Sequence, residues 1–153
     1  MAALDGLIAC AGGWRGTNQL YESPAGPSQD SPSALAVAAI LSGRFVRVQY
    51  TWAYRGRPQE GELVVGHEAQ SDVVTAYWVD SWHMGDKGMT CRGALGEDGA
   101  LSVRGSYAAP PGPDWGWRID IAPADGGRLR VAMYNIWPEG KEDLAVKAEY
   151  SRG

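Results

Sequence analysis

The sequence predicts an antiparallel up-and-down β-barrel of about ten strands. Three observations carry that expectation. Turn-forming clusters recur at near-regular intervals along the 153 residues. The segments between them are short, aromatic and β-branched, as strands are. Trp14 opens the first strand and Arg152 closes the last. If those two strands lie side by side, a guanidinium stacks over an indole and plugs one end of the barrel.

The elements follow in chain order. Residues 1–11 read as a lead-in arm or short helix. Leu7-Ile8-Ala9-Cys10 resembles a lipoprotein cleavage box, yet the residues before Cys10 hold Asp5 and no Lys or Arg. That stretch is too short for the charged and apolar regions of a signal peptide, so the expectation is a soluble cytoplasmic protein. Strands are expected at 13–22, 34–41, 44–54, 60–68, 73–82, 89–95, 100–107, 115–122, 128–137 and 143–152. Segment 34–41 is also compatible with a helix. Ser23 to Pro32 holds three prolines and reads as a loop crossing one end of the barrel. The turns between strands are supplied by clusters such as Arg55-Gly56-Arg57-Pro58 and Met84-Gly85-Asp86-Lys87-Gly88.

Alternation assigns faces in several strands. Val46, Val48, Tyr50, Trp52 and Tyr54 share one side, opposite Arg47. Trp115, Trp117, Ile119 and Ile121 oppose Arg118. Met133 and Asn135 oppose Tyr134. Strand 73–82 is apolar on both faces and is expected to be covered on both, with its inward face left open.

Composition bounds the function. The length suits one domain of ordinary size, here 1–153. A net charge of −4 and a pI near 5.1 leave no basic footprint for nucleic acid. Seven Trp and seven Tyr against one Phe suit partly wet walls such as ligand cavities, though they are also ordinary strand formers. No apolar run approaches the roughly 20 residues of a membrane span. Two cysteines make no disulfide framework, and whether Cys10 and Cys91 pair stays open.

Asp80 is the most informative polar residue, because it lies between Trp78 and Trp82 on one strand face. A carboxylate among indoles needs donors or a counter-ion. Arg47 and Arg118 are the expected internal partners, with exposure at the rim as the alternative. The functional reading makes Asp80 a polar anchor for a bound molecule. Asp80-Ser81-Trp82-His83 mimics a hydrolase set, but alternation puts Asp80 and Trp82 opposite Ser81 and His83, which no triad tolerates. Cys10, His67, His83 and Cys91 match no metal spacing. No phosphate-cradling glycine motif appears, and no cofactor is expected.

Gly13-Trp14-Arg15-Gly16, Leu41-Ser42-Gly43-Arg44-Phe45, Tyr77-Trp78-Val79-Asp80-Ser81 and the closing Glu149-Tyr150-Ser151-Arg152 together resemble the bacterial family called domain of unknown function 1579. More broadly the chain looks like a calycin-type barrel, the group of lipocalins and fatty-acid-binding proteins. The resemblance spans nearly the whole chain and implies a barrel with an interior cavity and no established activity. In the neighbouring nitrobindins a late-strand histidine holds haem. Here the two late strands carry none, since His67 and His83 are the only histidines.

The leading expectation is non-enzymatic binding of a small, largely apolar molecule in the barrel. Its proposed contacts are Arg47, Trp52, Trp78, Asp80, Trp82, Trp117 and Tyr134, while Trp14 and Arg152 close the barrel. The alternative is a filled barrel acting through its surface as an interaction module or homodimer. A third class is a cofactor-free enzyme with Asp80 or His83 as acid–base. Cavity volume separates the first two, because an empty barrel favours the carrier and a packed one the surface.

Overall fold

The computed structural model describes residues 2–153. A short helix, α1 (Asp5–Ile8), precedes ten strands: β1 (Gly12–Leu20), β2 (Gln29–Ile40), β3 (Phe45–Tyr54), β4 (Arg57–Glu68), β5 (Val73–Asp80), β6 (Met89–Leu95), β7 (Leu101–Tyr107), β8 (Trp115–Ala124), β9 (Arg128–Ile136) and β10 (Glu142–Arg152). Each strand pairs with its sequence neighbours, and β10 returns antiparallel to β1, so the sheet closes into a barrel. Closure leaves no unpaired sheet edge.

The seam between β1 and β10 aligns Trp14 with Arg152 and Gly16 with Tyr150. The strands approach so closely at Gly16 that a Cβ there would lie 1.9 Å from the Glu149 carbonyl oxygen. Glycine is therefore required at this point of the seam. Arg152 stacks over Trp14, its guanidinium carbon 4.2 Å from the ring centroid. The same guanidinium donates to the carbonyls of Ala9 and Ala11, and the Trp14 indole N–H donates to the Cys10 carbonyl at 2.9 Å. Three successive carbonyls that follow α1 thus find donors on the seam. The helix is drawn across this end of the barrel, where Leu4 and Leu7 are buried.

Several boundaries differ from those predicted. The segment expected at 34–41 is strand through Ile40, not helix, and it begins earlier, at Gln29, while Leu41 opens the turn into β3. Pro32, expected in the loop, lies inside β2 opposite Thr17. It is tolerated because β2 pairs with β3 only from Ala34 onward, so at Pro32 the strand has one neighbour and behaves as an edge. Strand β5 stops at Asp80, two residues short of the expected end. Its inward face is Val74, Ala76, Trp78 and Asp80, all buried. The expectation of cover on both faces is corrected: Tyr77 is 52% exposed and Val79 36%.

The barrel core is built from alternate residues, including Val46 and Val48 of β3, Leu63 and Val65 of β4, Ile119 and Ile121 of β8 and Leu129 and Met133 of β9. The two cysteines do not pair: both are free, Cys91 in the core and Cys10 partly buried. Cys10, His67, His83 and Cys91 do not assemble either. No cluster of three or more metal-ligating side chains occurs among the described residues.

Because Trp14 holds both the seam and the helix, its replacement by Ala is expected to cost about 3–5 kcal/mol in urea unfolding. A melting temperature equal to wild type would show that the barrel closes without it.

Candidate functional site

The end of the barrel opposite α1 is its mouth, ringed by the connections 21–28, 55–56, 81–88, 108–114 and 137–141. The chain is steered there by Asp80. Its Oδ2 accepts the Tyr50 hydroxyl at 2.6 Å, and that hydroxyl in turn accepts the Trp78 indole N–H at 3.0 Å. Its Oδ1 accepts the backbone N–H groups of Trp82 and His83 at 2.9 and 2.8 Å. The Asp80 carbonyl takes the N–H groups of Met84 and Gly85. The buried carboxylate is therefore satisfied by hydroxyl and amide donors. Neither Arg47 nor Arg118, the partners expected for it, is involved, because both point away from the core. Arg47 pairs with Glu62 at 3.7 Å, and Arg118 pairs with Asp120 and Glu142.

The Asp80-capped turn also overturns the alternation expected for residues 80–83. Since β5 ends at Asp80, Trp82 and His83 are turn residues and no longer alternate. His83 folds back over the mouth and sits among four indoles. Its ring centroid lies 4.8 Å from Trp82, 5.3 Å from Trp117, 5.5 Å from Trp52 and 5.8 Å from Trp78. Trp78 and Trp117 stack on each other at 5.3 Å with planes 11° apart. Trp82 stands edge-on to Trp52 and remains 37% exposed at the rim. Such stacked and edge-to-face pairs each add about 0.5–1.5 kcal/mol beyond burial.

Of the seven expected contact residues, the structure brings five together at the mouth: Trp52, Trp78, Asp80, Trp82 and Trp117. Arg47 and Tyr134 lie on the outer wall. Tyr134 is covered by the Arg118 guanidinium, whose carbon is 4.0 Å from its ring centroid. Both were expected as contacts inside the barrel; alternation sets them on the sides of β3 and β9 opposite Tyr50 and Met133, which face the core. The centre of the cluster, His83, was missed as a contact residue. The available signal was Asp80 followed by Gly85, since an aspartate capping backbone N–H groups two and three residues on starts a turn.

Burial lowers the His83 pKa, partly offset by the nearby Asp80 carboxylate, so the imidazole is neutral near pH 7. Burial and the adjacent carboxylate push the Tyr50 phenol well above its usual range, which keeps it a donor. Burial likewise pushes the Cys91 thiol up to about 11, leaving it without thiolate character.

The space around this cluster is unevenly divided. Beneath His83, the barrel interior retains only about 10 Å³, room for about one water. Outside, Trp82, His83 and Trp117 form a partition shared by two clefts. The larger, about 680 Å³, continues over Trp78, Met84, Lys87 and Tyr107. The smaller, about 280 Å³, is bounded by Glu22, Asn135 and Asp143. A groove of about 710 Å³ also runs over the outer faces of β1 to β5, but its charged groups include Glu62, already paired with Arg47. One polar atom at the mouth is unsatisfied: the Trp117 Nε1–H is buried and meets no acceptor among the described residues.

Fold and site define a closed ten-stranded antiparallel barrel with an aromatic mouth. The chain belongs to the family described as protein of unknown function (DUF1579), whose model matches residues 5–152. Among solved structures it is similar to the crystal structure of Rv2717c from M. tuberculosis. The two are 13% identical, with a TM-score of 0.66 over 100% of this chain and 98% of that one, a likeness of fold. A search of curated proteins finds no significant match.

Two outcomes follow for this cluster. Replacing Asp80 by Asn turns one acceptor into a donor facing Tyr50, and is expected to cost about 1–3 kcal/mol in urea unfolding. An unchanged midpoint would mean that the capped turn does not depend on the charge. For His83, the unfolded imidazole titrates near 6.5 and the folded one lower. Its contribution is complete above the unfolded value and is lost as pH falls through the folded one. His83→Phe should therefore flatten the loss of stability as pH falls below about 6.5. Parallel pH profiles would contradict a buried neutral imidazole.

Proposed function

We propose that this protein is a non-enzymatic binder of a small, largely apolar molecule, and that the molecule seats at the barrel mouth. The sequence reading placed such a ligand inside the barrel. An interior void of about 10 Å³ is too small for one, so the seat moves outward to the 680 Å³ cleft. That volume lies within the roughly 300–1,000 Å³ of small-molecule sites. The single observation carrying this reading is the aromatic lining of that cleft, in which Trp82 is 37% exposed at the rim beside His83 and Tyr107. The exposed Trp82 ring offers a flat molecule contact area at little entropic cost, while Trp78, 1% exposed and stacked on Trp117, supports the floor beneath it. Asp80 then acts as a positioning residue, since its oxygens are occupied by Tyr50 and by the turn that carries Trp82 and His83. The two free cysteines accord with a ligand met in the cytoplasm.

The second reading is a filled barrel acting through its surface as a homodimer. The packed interior favours it, as do Tyr77 and Val79 on the exposed face of β5. An acid–base enzyme would have to use His83, because Asp80 is already saturated with donors.

Native mass spectrometry of freshly purified protein separates these readings. A reproducible extra mass that is lost on denaturation, and lost again in Trp78→Ala, is the expected result. An apo dimer instead would transfer the proposal to the surface of β5.

A further inference from the structure

The outer wall along the seam gathers positive charge in a chain that is acidic as a whole, and it lies away from the mouth. We infer that the groove over β1, β10 and β9 binds the phosphate monoester group of a small soluble molecule, with Arg15 and Arg128 holding the group from either side of Ser151. This site is independent of the mouth-binding reading.

Register assembles the site from strands at opposite ends of the chain. Across the seam Arg15 pairs with Ser151, Thr17 with Glu149 and Gln19 with Lys147. On the other flank of β10, Glu149 pairs with Arg130, and the same register brings Arg128 alongside Ser151. These side chains share the outward face, because the alternate residues Trp14, Tyr150 and Leu129 are buried. The row Arg15–Ser151–Arg128 thus crosses three strands, its two arginines about 10 Å apart at the backbone. A groove of about 510 Å³ runs over this wall and is lined by all three.

The charge of the groove and its donors both suit phosphate. Glu149 is the one acid lining it, against Arg15, Arg128 and Lys147. A further arginine, Arg130, holds that acid at 3.0 Å, and Arg128 reaches its other oxygen only at 3.7 Å. Arg15 and Lys147 have no carboxylate within ion-pairing distance among the described residues. Elsewhere on the wall Arg47, Arg92, Arg104 and Arg118 each meet a carboxylate. The groove therefore keeps uncompensated positive charge, which a phosphate monoester, close to a dianion at neutral pH, offsets better than a monoanion does. Guanidinium forks bind phosphate oxygens in pairs, and two forks on opposite sides of a tetrahedral group use different oxygens. A third oxygen then faces the Ser151 hydroxyl, a donor between them. Held from β1 and β9 at once, the group spans β10 and clamps the seam, so binding also stabilises the barrel.

Phenyl phosphate and benzoate, titrated into the full chain at low salt and followed by amide chemical shifts, test this. Phenyl phosphate is expected to move the amide signals of Arg15, Ser151 and Arg128, to raise the melting temperature, and to bind about tenfold tighter than benzoate. Arg15→Gln and Arg128→Gln, both exposed changes, should each weaken it about fivefold, and added salt should weaken it further. Arg92→Gln on β6 should leave it unaltered. Equal affinity for the two probes, or a loss in Arg92→Gln as large as in Arg15→Gln, means diffuse attraction by charge and overturns the site. Signals that move at Trp82 and His83 instead also overturn it, while supporting the mouth. Vesicles containing phosphatidic acid present the same group on a surface. Cosedimentation with them, without binding of phenyl phosphate, overturns the assignment to a soluble molecule.

Discussion

Everything in this molecule depends on the seam where β10 meets β1. A closed barrel has no edge only if its last strand finds its first, and that pairing spans the longest sequence separation in the chain. The seam is fastened by Arg152, which stacks on Trp14 and donates to carbonyls at the end of α1. One guanidinium thereby joins the last strand, the first strand and the helix that lies over the core. Its flat face suits the indole and its edge N–H groups suit the carbonyls, a combination an ammonium cannot supply. Gly16 lets the two backbones approach.

With the seam closed, the interior fills. Leu, Ile, Val and Met side chains from all around the barrel leave about 10 Å³, so room for a molecule lies outside the core, in the clefts at the mouth and the groove on the outer wall. The floor of that mouth is set by one chain of hydrogen bonds, from Trp78 to Tyr50 to Asp80 and on to the backbone of the next turn. Its members are buried, where an unmet polar group is costly, so the chain is completed at nearly every atom. The consequence is geometric. Asp80 stops β5, turns the chain, and places Trp82 and His83 over the core as a cover. The unpaired Trp117 N–H is the exception to this satisfaction, and it lies at the wall where two clefts meet.

Much of the barrel was legible because local rules and the global fold agree. Hairpin turns rich in Gly, Pro and Asp gave the strand count, and alternation grouped Trp52 apart from Arg47 and Trp117 apart from Arg118 without choosing the inward face, so Arg47 and Tyr134 were expected as cavity contacts and lie on the outer wall. The site was less legible where alternation was carried past the end of a strand. Treating Trp82 and His83 as strand residues put them on opposite faces, whereas the Asp80 turn brings both into one aromatic cluster. Pro32 shows the same limit from the other side. Proline is excluded from a doubly paired strand, but whether a given residue is doubly paired depends on how far its neighbour extends.

The amino-acid sequence by itself determined the class of fold, the seam pair Trp14 and Arg152, and the supply of indoles from which a mouth is built. Those features rest on local backbone preference and on a two-residue periodicity, both of which are written in adjacent residues. Tertiary structure alone decided which acceptors and donors meet. Asp80 found Tyr50, thirty residues away, where sequence suggested an arginine. His83 found four tryptophans from three different segments of chain. It also decided that the barrel is packed inside, because the volume left over after folding is a property of how all ten strands fill a common space.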